Sequence, residues 1–284
     1  MTPPAVESLP RRNSDPIWLQ DYFVQTGHDA DTRSGTSTFV KRKGVHYVCT
    51  CRHIMEGIKD PKMVPNAKFP TLALAIEKAF INLSRMTARG LPELIMRAPG
   101  PDTEHGKTDI AIAPFDPASW HLLVTSKNKS AIDLDRWKEP DWSKVRFGLA
   151  NGYPDEHKKN VSANSTDQVA NQLITVVAEV AATPSRAQRT ITLNSALDKP
   201  HTWYFSGLSG GPFYFVEGLE EREAEDDELF PVGIVFEGYP SSGRIEANES
   251  RDTAASFLTG KHLFIRALAL NPAIFDQWVR DCGF

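Results

Sequence analysis

Short runs of alternating apolar and polar residues dominate the chain, and segments of helical period are few. Ser37-Thr38-Phe39-Val40 and Val45-His46-Tyr47-Val48 read as two strands joined by a turn at Lys41-Arg42-Lys43-Gly44, because β-branched and aromatic residues suit a pleated, half-buried surface. Further runs of this kind are Val145-Arg146-Phe147-Gly148-Leu149, the segment from Leu173 to Val180, and Thr190-Ile191-Thr192-Leu193. One segment departs from the pattern. Leu72 to Leu83, entered through Phe69-Pro70-Thr71, combines helix-forming residues with helically spaced apolar positions, which predicts an amphipathic helix between strands. That helix is expected to pack on the sheet, the alternative being a docking or gating element. Residues 1–16 are proline-rich and polar, with no apolar segment typical of a secretory leader, and are expected to form a poorly ordered tail.

Composition narrows the class without choosing a function. The 284 residues are 40% hydrophobic and 24% charged, enough to bury a large core. A net charge of −4 gives no footing for nucleic acid. The chain has no run of about 18 apolar residues, so no membrane span is expected. The three cysteines are an odd number for a bridged scaffold, and Cys49 and Cys51, two apart on one strand, are poorly placed to bridge each other. A reducing, cytoplasmic location is expected. Scattered histidines and the absence of a Cys-x-x-Cys pair give no expectation of a metal site, and no cofactor is expected. The acidic block from Glu217 to Glu228 reads as a solvated hairpin loop, the alternative being attraction for a basic partner or substrate.

Candidate chemistry concentrates at Gly207-Leu208-Ser209-Gly210-Gly211-Pro212. This segment lies between the aromatic runs Trp203-Tyr204-Phe205 and Phe213-Tyr214-Phe215. It displays a serine on a tight glycine turn. A serine hydroxyl attacks only when a base takes its proton, and the base needs a group to orient it. His53 follows the β-rich run His46 to Thr50, and Asp109 immediately precedes Ile110-Ala111-Ile112-Ala113. Singly, each has a plainer reading: a flexible turn, a structural histidine, a strand-opening aspartate. Together they stand in the order His53, Asp109, Ser209.

That order, in those contexts, resembles the chymotrypsin-like (trypsin-fold) serine peptidases of the bacterial stand-alone type, over residues 34 to 281 or so. Ser34-Gly35-Thr36-Ser37-Thr38-Phe39-Val40 is similar to a strand of bacterial members, Pro231-Val232-Gly233-Ile234-Val235 to the strand after the nucleophile, and Phe275 to Val279 falls where the family has its closing helix. The resemblance implies an all-β fold of two six-stranded antiparallel β-barrels with a helical insertion and a C-terminal helix. After the tail, one peptidase domain would span 17–284, with an N-terminal barrel over about 17–125, a C-terminal barrel over about 140–266 and the helix over about 271–281. It implies His53, Asp109 and Ser209 as the catalytic triad, in a cleft between the barrels. The backbone N–H groups of Gly207 and Ser209 would form the oxyanion hole, and Trp203, Phe236 and Glu237 would line the substrate pocket. Leu208 stands where trypsin-type zymogens carry an aspartate, so activation through that buried ion pair is not expected. The implied function is a regulated intracellular serine endopeptidase with a narrow set of protein substrates, acting through an acyl-enzyme. Its expected partners are a protein or peptide substrate and a regulatory protein, without nucleic acid or membrane. Two other readings stay open: a catalytically silent peptide-binding or scaffold module on the same fold, and an esterase using the same triad.

Overall fold

A computed structural model of the chain describes residues 4–23, 33–65, 67–76, 79–145, 147–154, 158–160, 169–180, 190–196, 207–216, 229–240 and 262–284. The first half opens with α1 (Pro4–Asn13), β1 (Ser14–Asp21), β2 (Ser34–Arg42), β3 (Val45–Thr50) and the short α2 (Arg52–Gly57). It continues through β4 (Pro70–Ile76), β5 (Ala79–Asn82), β6 (Ser84–Met86), β7 (Pro92–Leu94), β8 (Ala111–Pro114), α3 (Pro117–Lys127) and β9 (Ile132–Asp133). The second half contains β10 (Phe147–Gly152), β11 (Lys158–Asn160), β12 (Val169–Asn171), β13 (Ile174–Val180), β14 (Thr190–Ala196), β15 (Pro212–Val216), β16 (Leu229–Pro240), β17 (His262–Ala269) and α4 (Pro272–Asp281).

The first half builds a seven-stranded sheet in the order β5-β4-β1-β2-β3-β8, with β9 parallel to β2 at the side. Its β2–β3 hairpin pairs Phe39 with Val48 and Val40 with Tyr47. Lys43 and Gly44 turn it, with φ of 50° and 77°, the left-handed pair that a two-residue hairpin loop uses to match strand twist. Alternation then sorts the side chains. Ile17, Leu19, Phe39, Val48, Leu72 and Leu74 fill one core. Val40, Tyr47, Cys49, Ile110 and Ile112 face the other way, onto Phe275 and Trp278 of α4 and onto Ile234 and Leu268 of the second half. This sheet is therefore buried on both faces, and its rear core joins the two halves.

The second half closes into a barrel, β10-β13-β14-β17-β16-β15, around Phe213, Phe215, Val232, Val235 and Ile265. The expected all-β architecture of two units is present. The second unit closes with six strands, and among the described residues the first is a seven-stranded sheet. The closing helix lies at Pro272–Asp281, capped by the Asn271 side chain, which accepts from the Ile274 N–H at 2.9 Å. Asn at this position satisfies an N–H that the first turn cannot pair internally.

Two expectations need correction. Leu72 to Leu83 is a β-hairpin, β4 and β5, and not a helix; the helical insertion is α3 at Pro117–Lys127. Leu72, Leu74 and Ile76 also alternate, and β4 pairs with β1 through Trp18–Ala73 to Asp21–Pro70. Pairing on both sides outweighs the modest helix propensity of Leu, Ala, Glu and Lys. The tail assigned to residues 1–16 is also superseded for residues 4–16, which form α1 and the start of β1. Its polarity is used internally. Tyr214 donates from its hydroxyl to Asn13 Oδ1 at 3.0 Å, Asn13 Nδ2 donates to the Ser130 carbonyl at 3.0 Å, and Asp15, 2% exposed, is paired with Lys129 at 2.8 Å and with Lys127. Buried polar groups are tolerated when partnered in this way, and their partners are more than a hundred residues away. Among the described residues no helix is long and apolar enough to cross a membrane.

Candidate active site

The end of β3 delivers the histidine. After Thr50, Cys51 occupies the N-cap position of α2 in extended conformation, and His53 lies in the first turn of that helix. Asp109, at the mouth of β8, meets it twice: the His53 N–H donates to Oδ1 at 3.0 Å, and Nδ1 lies 2.7 Å from Oδ2. A proton on Nδ1 directed at the carboxylate leaves Nε2 as an acceptor. Burial pushes the Asp109 carboxyl up, but hydrogen bonds from the His53 ring and backbone offset this and hold it below the ordinary value. The imidazole remains 49% exposed. The neighbouring Arg52 donates to the carbonyls of Gly106 and Pro99, both at 2.6 Å, and so ties down the loop that ends at Asp109.

Ser209 comes from the glycine turn before β15, and that turn is stitched to the sheet carrying His53. Thr36 N–H donates to the Ser209 carbonyl at 3.0 Å, Thr36 Oγ1 to the Gly207 carbonyl at 2.5 Å, and Thr38 Oγ1 to the Gly210 carbonyl at 2.7 Å. The two glycines after the serine are required by closeness. A Cβ at Gly210 would run into the Thr36 carbonyl oxygen, and one at Gly211 into the Asn151 carbonyl oxygen; Gly210 also has φ of +91°. Gly210 N–H donates to the Val235 carbonyl at 2.7 Å, and Cys51 Sγ donates to the same oxygen at 3.3 Å. One carbonyl thus connects the residue after Ser209 with the residue two before His53. Leu208 is buried in the barrel core.

Ser209 Oγ itself donates to the Phe236 carbonyl at 3.4 Å, and among the described residues it has no hydrogen bond to His53. Gly207 takes φ of +98°, and among the described residues neither the Gly207 nor the Ser209 N–H has an acceptor. Of the expected pocket residues, Phe236 adjoins the serine through that carbonyl. It occupies a β-bulge where the β16–β17 register shifts between Val235 and Glu237, a device that re-aims side chains beside sites. Glu237 is exposed and paired with Arg266 at 2.8 Å, and the Arg266 guanidinium lies 5.0 Å from the Phe236 ring centre. Trp203 and the acidic block at 217–228 lie outside the described residues.

Three contributors were not singled out in the sequence. Thr36 and Thr38 looked like ordinary strand residues, and Arg52 was only the neighbour of His53. Cys51 had a signal, its spacing of two from His53. Its thiol is fully buried, and burial pushes it well up. Donor atoms of Cys51, His53 and Asp109 all lie within 4.8 Å of one another. Asp109 is brought to His53 by folding, from 56 residues further along the chain.

No family model and no curated protein sequence matches the chain. Among solved structures it is similar to the protease Anisep from Arthrobacter nicotinovorans, at 13% identity and TM-score 0.45, covering 97% of this chain and 98% of that one. It is similar to the thermostable serine protease AL20 from an extremophilic microorganism, at 12% identity and TM-score 0.45, covering 96% and 97%. Human heparin binding protein is a third, at 12% identity and TM-score 0.42, covering 96% and 91%.

Proposed function

We propose that the protein is a serine endopeptidase. The observation that carries this reading is the half-exposed His53–Asp109 pair, joined at 2.7 Å, with the Ser209 turn bonded to the same sheet. Ser209 rotates from the Phe236 carbonyl toward His53, gives its proton to Nε2, and its Oγ attacks the carbonyl carbon of the scissile peptide. The negative charge moves to the carbonyl oxygen, where the Gly207 and Ser209 N–H groups receive it; each such donor is worth about 100 to 1,000-fold in rate. Collapse of this intermediate breaks the C–N bond, and His53 returns its proton to the leaving amine. Water, deprotonated by His53, then hydrolyses the acyl-Ser209 ester. Asp109 keeps the ring in the tautomer this cycle needs.

The three cysteines are free and buried, which supports a reducing, cytoplasmic setting. A peptidase in that setting is held in check by narrow specificity or a regulatory protein, and its substrates are one or a few proteins. One observation favours a second reading, a peptide-binding module that does not cut: the serine hydroxyl rests on Phe236 instead of His53. Fluorophosphonate labelling of the purified protein separates the two. Labelling lost in both Ser209→Ala and His53→Ala supports the peptidase. An unlabelled wild type that also fails to cleave a peptide library sinks it, and cleavage of small esters without amides would make the chain an esterase.

A further inference from the structure

Cys51 has no part in the peptide-cleaving cycle, yet its sulfur lies near both the base, His53, and the carboxylate that orients it, Asp109. Cys51 Sγ, a His53 ring nitrogen and an Asp109 oxygen lie within 4.8 Å of one another, and Nδ1 and Oδ2 face each other at 2.7 Å. The geometry points to a regulatory zinc site: Cys51 Sγ, His53 Nδ1 and an Asp109 oxygen bind one Zn²⁺, or its thiophilic analogue Cd²⁺, and the ion silences the base.

The donor set is one sulfur, one imidazole and one carboxylate, which suits a borderline-soft dication and not Mg²⁺ or Ca²⁺. Zn–N and Zn–O bonds of about 2.1 Å and a Zn–S bond of about 2.3 Å place tetrahedral ligand atoms roughly 3.4 to 3.7 Å apart. The His53 ring and Asp109 therefore open by a fraction of an ångström while Sγ closes in, a shift the half-exposed imidazole can supply. Three protein ligands leave the fourth position to water.

The surroundings tolerate the exchange. The Val235 carbonyl loses the Cys51 thiol proton but still accepts from the Gly210 N–H at 2.7 Å. Asp109 stays anchored because the His53 N–H donates to Oδ1 at 3.0 Å while Oδ2 turns to the metal. Protons balance as follows. The thiol proton leaves to solvent and the Nδ1 proton is replaced by one on Nε2, so a neutral imidazole remains and one proton is released per ion bound. The dication neutralises the thiolate and the carboxylate. With Nε2 carrying the proton, His53 no longer accepts one from Ser209. Coordination depends only on the three side chains; the loss of activity rests on the peptidase reading.

The test is titration of the full chain with Cd²⁺, following the ultraviolet thiolate-to-metal charge-transfer band, with Zn²⁺ competition and native mass spectrometry for stoichiometry. Ser209→Ala is the background, so no catalysis enters the readout. The expected result is one ion per chain, displaced by Zn²⁺ and unaffected by Mg²⁺. Cys282→Ala should retain the band. Cys51→Ala and Cys51→Ser, two variants in case one fails to fold, should lose it. Wild-type activity should then fall with Zn²⁺ and return with chelator. A band that persists without Cys51, or no band in the parent, overturns the site. A thiolate band in a protein that never cleaves peptides would leave the site standing and sink the peptidase reading alone.

Discussion

His53 and His105 each hold an aspartate through Nδ1, at 2.7 Å from Asp109 and 2.9 Å from Asp281, and each also directs its backbone N–H at the same carboxylate group. Accessibility separates them. The side chains of the first pair are 49% and 27% exposed, and those of the second 9% and 8%. The buried pair belongs to a clamp: Gly100 N–H donates to the Asp281 carbonyl at 3.0 Å, Gln277 Nε2 donates to Asp281 Oδ1 at 2.8 Å, and Cys282 Sγ donates to the Arg97 carbonyl at 3.4 Å. It fixes the loop before Asp109 to the end of α4. The half-exposed pair keeps the imidazole ring open to solvent. One bond between two residue types thus fastens a loop in one place and, in the proposed reading, handles a proton in the other, where the ring has room beside it.

The largest effects should fall on the exposed pair. His53→Ala is expected to lower peptide hydrolysis by about 10,000-fold or more while moving the thermal midpoint by only a few degrees, as measured by amide turnover and calorimetry. A comparable loss of activity in His105→Ala at full stability would erase the distinction between the pairs. Gly210→Ala tests what holds Ser209 against the His53 sheet. Its Cβ meets the Thr36 carbonyl at a positive φ, so about 3 kcal/mol or more of stability should go with the activity.

Asp281→Asn should cost about 2 kcal/mol, the usual worth of a hydrogen bond to a charged group, read by denaturant midpoint, with kcat within a few-fold of wild type under folded conditions. If kcat instead collapses while KM and stability hold, the buried pair acts in the chemistry.

The smallest effect concerns acid. Hydrogen bonds from Arg42, at 2.8 Å, hold Asp276 at about 2, while burial opposes them. Asp109 and Asp281 also lie below the ordinary carboxylate value, each because hydrogen bonds from its histidine outweigh burial. A carboxyl lowered on folding stabilises above its unfolded pKa, and that stabilisation fades as pH falls through the folded value. Stability should therefore decline from about pH 4 toward pH 2, and Asp276→Asn should flatten that limb in acid titrations of unfolding. An unchanged limb would mean that the Arg42–Asp276 pair is not what acid releases.

The chain by itself determined the β2–β3 hairpin, because alternation and turn chemistry are local, and the closing helix, through its likeness to a familiar pattern. It also marked His53, Asp109 and Ser209, since each stands in its own short context. Tertiary structure alone decided that Leu72 to Leu83 is a hairpin: its residues satisfy both periods, and only pairing with β1 chooses between them. It decided that Asn13 to Asp15 are interior, because polar residues count as buried only once distant Tyr214, Ser130 and Lys129 supply their partners. It brought Cys51 to Asp109 and His105 to Asp281, contacts across 58 and 176 residues. Propensity and periodicity act within a turn or a strand, whereas the pairing of buried polar groups depends on which strands and helices meet, and that is settled only when the whole core closes.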